Sequence, residues 1–225
     1  MSRGKKYVET LKKYNVAASY PLKEAVDTVK SLSFAKFDET VDVAMKLSLK
    51  KSQSVRDTVV LPHQFHGEKR VLVFCKAEKE KEAQEAGAAY VGAEDLIEKI
   101  KGGWLDFDVA VATPDMMKDV GKLGMVLGRR GLMPNPKTGT VTFDLKGALS
   151  ELKKGRVEFR ADKTGVVHLA VGKVSMESEK LAENVQAVVS EVRRKRPADA
   201  KGEFVETISV SSTMGPGVWV SMGSE

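Results

Sequence analysis

The stretch Gly121–Thr140, GKLGMVLGRRGLMPNPKTGT, gathers the residues best suited to hold an anion. It carries five glycines, two prolines and four cations (Lys122, Arg129, Arg130, Lys137), and no acid. Glycines permit backbone angles closed to other residues, and Pro134 and Pro136 stiffen the exit. A cationic loop with free N–H groups suits a phosphate. No apolar stripe runs through the second half, which predicts a loop rather than a packed helix. Within it, Gly131–Thr138 (GLMPNPKT) nearly fits the phosphate-loop pattern G-x-x-x-x-G-K-[ST]. Pro136 replaces the second glycine and removes an N–H where the amide cradle needs one. The residues that follow, 139–143, read as strand, so the helix dipole is missing too. A nucleotide-triphosphatase is disfavoured on both counts.

Other candidate chemistry is sparse. His63, His66 and Cys75 are scattered potential metal ligands without a C-x-x-C, and surface histidines are the simpler reading. Cys75 lies within the apolar run VLVFC, as an inert buried thiol would. No serine sits in a nucleophile elbow or triad pattern. The sequence therefore predicts no enzyme, no metal and no cofactor.

Three short stretches suit nucleic acid better. In Phe34–Thr40, Lys36 offers a cation for phosphate and Phe37 a ring for stacking. Phe37 is also in phase with the apolar face of the following strand, so capping the core is its alternative role. Arg160–His168 is a hairpin whose outward face carries Arg160, Asp162, Lys163 and His168, or simply a solvated turn. Ser211–Gly217 (SSTMGPG) combines hydroxyls, a flexible Met214 and glycines, which let a backbone approach a ribose closely. Its plain alternative is a Gly-Pro turn.

These stretches need elements to hold them. Residues 5–15 form a short basic helix at most, and Leu22, Val26, Val29 and Leu32 mark a helix from Pro21 to about Ser33. From Glu39 to Lys50 the pattern alternates, Val41, Val43, Met45, Leu47 and Leu49 facing one way, as in a strand with one buried face. Thr58–Leu61 follows as a second strand. The middle differs: strands at Val71–Cys75, Ala89–Val91 and Phe107–Ala112 alternate with helices at Glu78–Ala86, Glu94–Lys101 and from Pro114, which argues a parallel α/β sheet. Alternation returns at Val157–Ala161, Val166–Val171 and Phe204–Ser212. Glu179–Arg196 is the clearest helix, and a last strand spans Val218–Ser221. If Gly165 takes the bulge position of a three-residue loop, Arg160 falls opposite His168. The expected fold class is α/β with two domains. An α+β outer domain is built from both chain ends (1–67 and 159–225) as an antiparallel sheet with helices. A second, α/β domain with a parallel sheet (68–158) is inserted in it, and the two crossings would act as a hinge.

Composition sets the bounds. In 225 residues, Lys plus Arg number 37 and Asp plus Glu 31, a net charge of +6. That excess fits a polyanion met at particular patches, not a polybasic tail. One cysteine excludes an internal disulfide and suggests a reducing compartment. The start of the chain is charged and lacks a signal-peptide core, and no run approaches the ~20 apolar residues a membrane helix needs. A soluble, cytoplasmic protein is expected, a monomer when free.

The chain resembles the L-one family of large-subunit ribosomal proteins. The resemblance rests on AKFDETVDV (Ala35–Val43), VLPH (Val60–His63), AGAAYVG (Ala86–Gly92), DFDVAVATPDMM (Asp106–Met117), LGRRGLMPNPKTGTV (Leu127–Val141), FRADKTGVVH (Phe159–His168) and TMGPG (Thr213–Gly217). It covers nearly the whole chain. It departs from the family at Arg129, where proline is usual, at Ser54–Asp57, SVRD for the usual NVRG, and at Gln64–His66, which replace a glycine-rich run. The resemblance implies an inserted domain that is Rossmann-like and an outer domain that binds the rRNA of the mobile stalk beside the tRNA exit site. It also implies assistance to the release of deacylated tRNA, and repression of the chain's own operon through a similar mRNA site. On it, Lys36, Phe37, Thr40, Arg160, Lys163, His168, Ser211, Thr213, Met214 and Gly215 become RNA contacts. Arg129, Arg130 and Lys137 become an auxiliary RNA-binding loop.

Overall fold

The structure, a computed structural model, describes residues 4–50, 53–65, 67, 69–197 and 202–221. In chain order it begins with helix α1 (Lys5–Leu11), strand β1 (Ser19–Pro21), helix α2 (Leu22–Leu32) and strands β2 (Thr40–Leu47) and β3 (Arg56–Val60). Then come β4 (Val71–Phe74), α3 (Ala77–Glu85), β5 (Tyr90–Gly92), α4 (Glu94–Lys101), β6 (Val109–Ala112), α5 (Met117–Val120), α6 (Gly124–Arg129) and α7 (Leu145–Lys153). The chain finishes with β7 (Arg156–Arg160), β8 (Val166–Lys173), α8 (Ser178–Arg194), β9 (Val205–Ser212) and β10 (Gly217–Ser221). Contacts divide it into two compact units, Met1–Phe65 with Val157–Glu225, and His66–Arg156. The content is mixed α/β.

In the first unit, five strands run in the order β1-β10-β9-β2-β8. Only the edge pair β1–β10 is parallel; the other pairs are antiparallel. Along β2, Val41, Val43, Met45 and Leu47 are buried while Asp42, Ala44 and Lys46 line the opposite face. The buried face packs on the apolar sides of α2 (Val26, Val29) and α8 (Leu181, Val185, Val188, Val189). Each such side chain, fully withdrawn from water, contributes about 1.5–3 kcal/mol. Strands β3 and β7 pair separately and add Val59 and Phe159 to the same core. Helix α8 carries Glu179 in its first turn and Arg193 and Arg194 in its last, matching the helix dipole at both ends.

One polar residue is fully buried on α8. The Asn184 amide donates to the carbonyls of His63 (2.8 Å) and Val171 (2.8 Å), and its oxygen accepts from His63 N–H (3.0 Å). The His63 ring meets Glu183 at 2.6 Å. Its fold role is thus to tie the end of the β3 segment to α8. His66 lies outside the described residues.

In the second unit, β5-β4-β6 form a parallel sheet. Successive residues of β4 face opposite cores. Leu72 and Phe74 join Leu96, Ile97, Ile100, Leu123 and Leu127 on one side. Val71, Val73 and Cys75 join Ala83, Leu145 and Leu149 on the other. A strand covered on both faces must read as an unbroken apolar run, as this one does. Burial raises the Cys75 thiol pKa, which keeps it inert.

Several expectations are corrected here. The first half of Gly121–Thr140 is helical, a 3-10 turn (Gly121–Leu123) leading into α6, because Val120, Leu123 and Leu127 recur at helical spacing and are all buried. Residues 139–143 form no full strand; only Val141 bridges, parallel, to Ala112. Helix α7 is not among the expected elements, yet Leu145, Ala148, Leu149 and Leu152 recur at helical spacing and are all buried, and Asp144 caps it by accepting from Gly147 N–H (3.0 Å). Strand β1 is too short to show in a pattern and exists through its pairing with β10. No described helix is long and apolar enough to cross a membrane.

Replacing Asn184 by Leu strands three backbone groups without partners in a dry environment. Urea unfolding should show a loss of about 1–3 kcal/mol; an unchanged midpoint would mean that the Asn184 hydrogen bonds contribute nothing.

Candidate nucleic-acid interface

Glu39 is 1% exposed, yet it is a carboxylate. One oxygen accepts from the N–H groups of Phe34 (3.2 Å) and Ala35 (2.9 Å), the other from Met214 N–H (3.0 Å). Burial alone would raise its pKa. The backbone bonds from Met214, Ala35 and Phe34 outweigh that and hold it below the ordinary 4.5. The carboxylate therefore stays ionised and joins two loops that are 175 residues apart. The first loop, 33–40, leads into β2; the second, 213–216, joins β9 to β10.

A second clasp lies beside it. Thr213 N–H donates to Thr40 C=O (3.0 Å), Thr40 N–H donates to the Thr213 hydroxyl (2.9 Å), and that hydroxyl donates to Thr40 C=O (3.2 Å). The Thr40 hydroxyl accepts from Lys173 Nζ at 2.9 Å. The Asp38 carboxylate accepts from Ser175 N–H (3.1 Å) and Ser175 hydroxyl (2.8 Å). A Cβ at Gly215 would stand 2.4 Å from the Ser212 hydroxyl, which would have to shift.

With the backbones so occupied, the long side chains turn outward. Phe37 is 56% and Met214 51% exposed, and Lys36 is exposed beside them. The apolar alternation of β2 does not extend back to Phe37, so its ring does not cap the core. Ser211 stands opposite Asp42 on the outward sheet face. One end of the sheet thus brings together Lys36, Phe37, Thr40, Ser211, Thr213, Met214 and Gly215.

The other named residues lie elsewhere on this unit. His168 pairs with Ala44 halfway along β2 and is exposed. Lys163 is in the turn at the far end, about 23 Å away along β2 at ~3.3 Å per residue. That turn is held by the Asp162 carboxylate, which accepts from Thr164 N–H (2.8 Å) and Val166 N–H (2.8 Å). The Val166 N–H bond first, then the Thr164 hydroxyl (2.7 Å) and the Thr164 N–H, lower its pKa. Gly165 adopts φ +80°, and a Cβ would meet the Leu47 carbonyl at 2.9 Å, so only glycine fits. Ala161 bridges to Val167, the register that aligns Arg160 with His168. The ladder stops there, because β7 pairs with β3 and β8 with β2. Between the two ends sits Asp42, whose pKa burial raises, with His168 and Lys173 offsetting part of the rise.

The anion loop of the second unit differs from the expectation. Its amides are used internally. Asn135 organises them: its side chain accepts from Lys137 N–H (2.9 Å), its carbonyl from Thr138 and Thr140 N–H, and its own N–H meets the Thr140 hydroxyl (2.7 Å). Arg130, Gly131, Leu132 and Gly139 N–H groups also bond within the loop. No open cradle remains. Lys122 is paired with Asp119 at 2.8 Å. Arg129, Arg130 and Lys137 are exposed and form no ion pair among the described residues, so the loop offers charge without a shaped amide site.

Sequence reasoning had passed over Glu39. The available signal was its phase: a carboxylate at the position that continues the buried series Val41, Val43, Met45.

The chain belongs to the Ribosomal protein L1p/L10e family, whose model matches residues 29–216. Membership of a ribosomal-protein family makes it a non-enzymatic protein. It is 70% identical over 220 residues to the large ribosomal subunit protein uL1 of Treponema denticola, spanning 98% of this chain and 97% of that one. It is 62% identical over 225 residues to the protein of the same name in Treponema pallidum (strain Nichols), covering both chains completely. With that of Borrelia recurrentis it shares 60% over 215 residues, 96% of each chain.

Glu39→Gln puts an amide donor where two loops present their own donors. Stability at pH 7 should fall by about 1–3 kcal/mol. Because the folded pKa of Glu39 is lowered, its contribution is full above the ordinary value and is lost as pH falls through the folded one. Wild-type and variant stabilities, compared by urea titration, should therefore draw together as pH falls below the ordinary 4.5 and meet only once it has passed the folded value. A gap that persists unchanged into acid would refute the ionised clasp.

Proposed function

We propose that this protein is a structural constituent of the large ribosomal subunit that binds large-subunit rRNA through the loop-bearing end of the five-stranded sheet. The observation that carries the reading is the pair of loops clasped by Glu39. They hold a ring, a thioether and a cation outward on backbones that are already hydrogen-bonded. Such a surface costs little to order on binding. It suits folded RNA, recognised by shape, stacking and ribose contact. Family membership and the names of the relatives support the ribosomal setting, which is cytoplasmic in bacteria.

The residues are assigned as follows. Phe37 and Met214 lie against bases or riboses; Lys36 neutralises a phosphate. Ser211 and the 213–215 backbone approach riboses, and Thr40 and Thr213 act mainly by fixing the loops. His168, Lys163 and Arg160 form a second contact region along the same unit, with Arg129, Arg130 and Lys137 contributing charge from the other unit. We further assign repression of the chain's own operon to the same sheet end meeting a similar mRNA fold, and assistance to the release of deacylated tRNA to the ribosome-bound protein.

Phe37→Ala and Met214→Asp should each weaken binding to large-subunit rRNA by about fivefold or more, given ~1–3 kcal/mol per stacked base. Log K should fall linearly with log salt, by about 0.7–0.9 per phosphate contacted. A flat salt response, or full affinity in both variants, would remove RNA as the partner of this surface. The rRNA fragment should compete fully with own-operon mRNA, and ribosomes lacking the protein should retain deacylated tRNA longer. Simultaneous binding of both RNAs, or an unchanged tRNA off-rate, would refute the two further roles.

A further inference from the structure

Strand β10 carries a residue that none of the roles above uses. Its side chains alternate, Val218 and Val220 inward and Gly217, Trp219 and Ser221 outward. Trp219 is 41% exposed, so more than half of it rests on its surroundings while the rest meets solvent. Its partners across the sheet are small: Ser19 on β1 and Ser209 on β9, with Ala44 and His168 completing the row. The indole is flanked across the sheet by two serines. Nothing in that row forces an aromatic residue there for packing.

Its position relative to the clasped loops is set by register. Gly217 pairs with Ser211, and Trp219 with Ser209. Trp219 and Ser211 are therefore diagonal neighbours, about 7–8 Å apart, a distance an aromatic side chain spans. Trp219 lies two positions beyond Gly217, about 7 Å along the strand. The start of β10 is itself anchored, because the Tyr14 hydroxyl donates to the Gly217 carbonyl at 2.9 Å. The indole thus stands on an anchored strand, diagonal to Ser211, on the same outward face as His168.

We infer that Trp219 is a further RNA-contacting residue, a stacking platform for an unpaired base that continues the Phe37–Met214 surface across the sheet. The inference rests on the RNA-binding reading above. An indole presents a π-face to any base, and its weak dependence on base identity suits a platform at the margin of a shape-read site.

The test is a titration of the full chain with purified large-subunit rRNA. The protein has two tryptophans. Trp104 packs edge-on to Tyr90, with ring centroids 4.8 Å apart, in the second unit, so a Trp104→Phe background isolates the Trp219 signal. In that background, saturating rRNA should quench indole emission and shield it from iodide. Trp219→Ala should lower affinity by about 5- to 150-fold at fixed salt, while Trp219→Phe keeps most of it and the thermal midpoint stays near the parent's. If Met214→Asp loses binding but Trp219→Ala stays within twofold and the indole emission does not respond, the platform is refuted and the RNA reading stands. If the parent protein shows no rRNA binding, both fall. The emission readout decides the matter even if Trp219→Ala folds poorly.

Discussion

The Glu39 carboxylate joins the first third of the chain to the last, and the outward surface depends on it. An unpaired buried carboxylate would be costly; this one receives three backbone N–H donors. Each donor belongs to a loop residue that no strand partner could satisfy. The charge and the loop amides thus remove each other's penalty. The consequence is geometric. Loops with satisfied backbones have few ways to move, so Phe37 and Met214 are presented from fixed points. Thr213, which looked like a hydroxyl offered to a ribose, does much of its work inward, on Thr40.

The same dependence appears in the sheet. β2 comes from the early part of the chain, and both its neighbours, β8 and β9, come from the late part. Its alternating face cannot be buried until those strands arrive, so local pairing alone cannot build this unit. Loop closure over the intervening residues must precede most of the hydrogen-bond gain, which is a slow route to a fold. Asn184 on α8 makes a comparable long-range tie to His63. Long-range polar bonds of this kind reinforce the apolar core where its reach ends.

The second unit shows how similar residues lead to different chemistry. Glycines and cations beside a Lys-Thr pair suggest a phosphate loop until the amides are followed. Asn135 gathers them into a closed set of turns, and Pro136, lacking an N–H, starts the turn that Lys137 and Thr138 complete. The result is a stiff, positively charged projection. It can add long-range attraction for a polyanion but cannot enclose a nucleotide phosphate.

Much of this was legible in order along the chain. Period-two alternation in Val41–Leu47 and the stripe Leu181–Val192 report burial directly, because a strand or helix exposes its faces at a fixed interval. The run VLVF reports a strand covered on both sides for the same reason. Those signals are local. What tertiary structure alone decided is equally specific: that Phe37 points out, that β1 pairs with β10, that the Gly121–Thr140 amides close on Asn135, and that Glu39 meets Met214. Each depends on hydrogen bonds or packing between segments whose meeting no local period encodes. Sequence could mark Glu39 as a charge in a buried phase; only the folded chain supplied the distant N–H that makes the charge tolerable there.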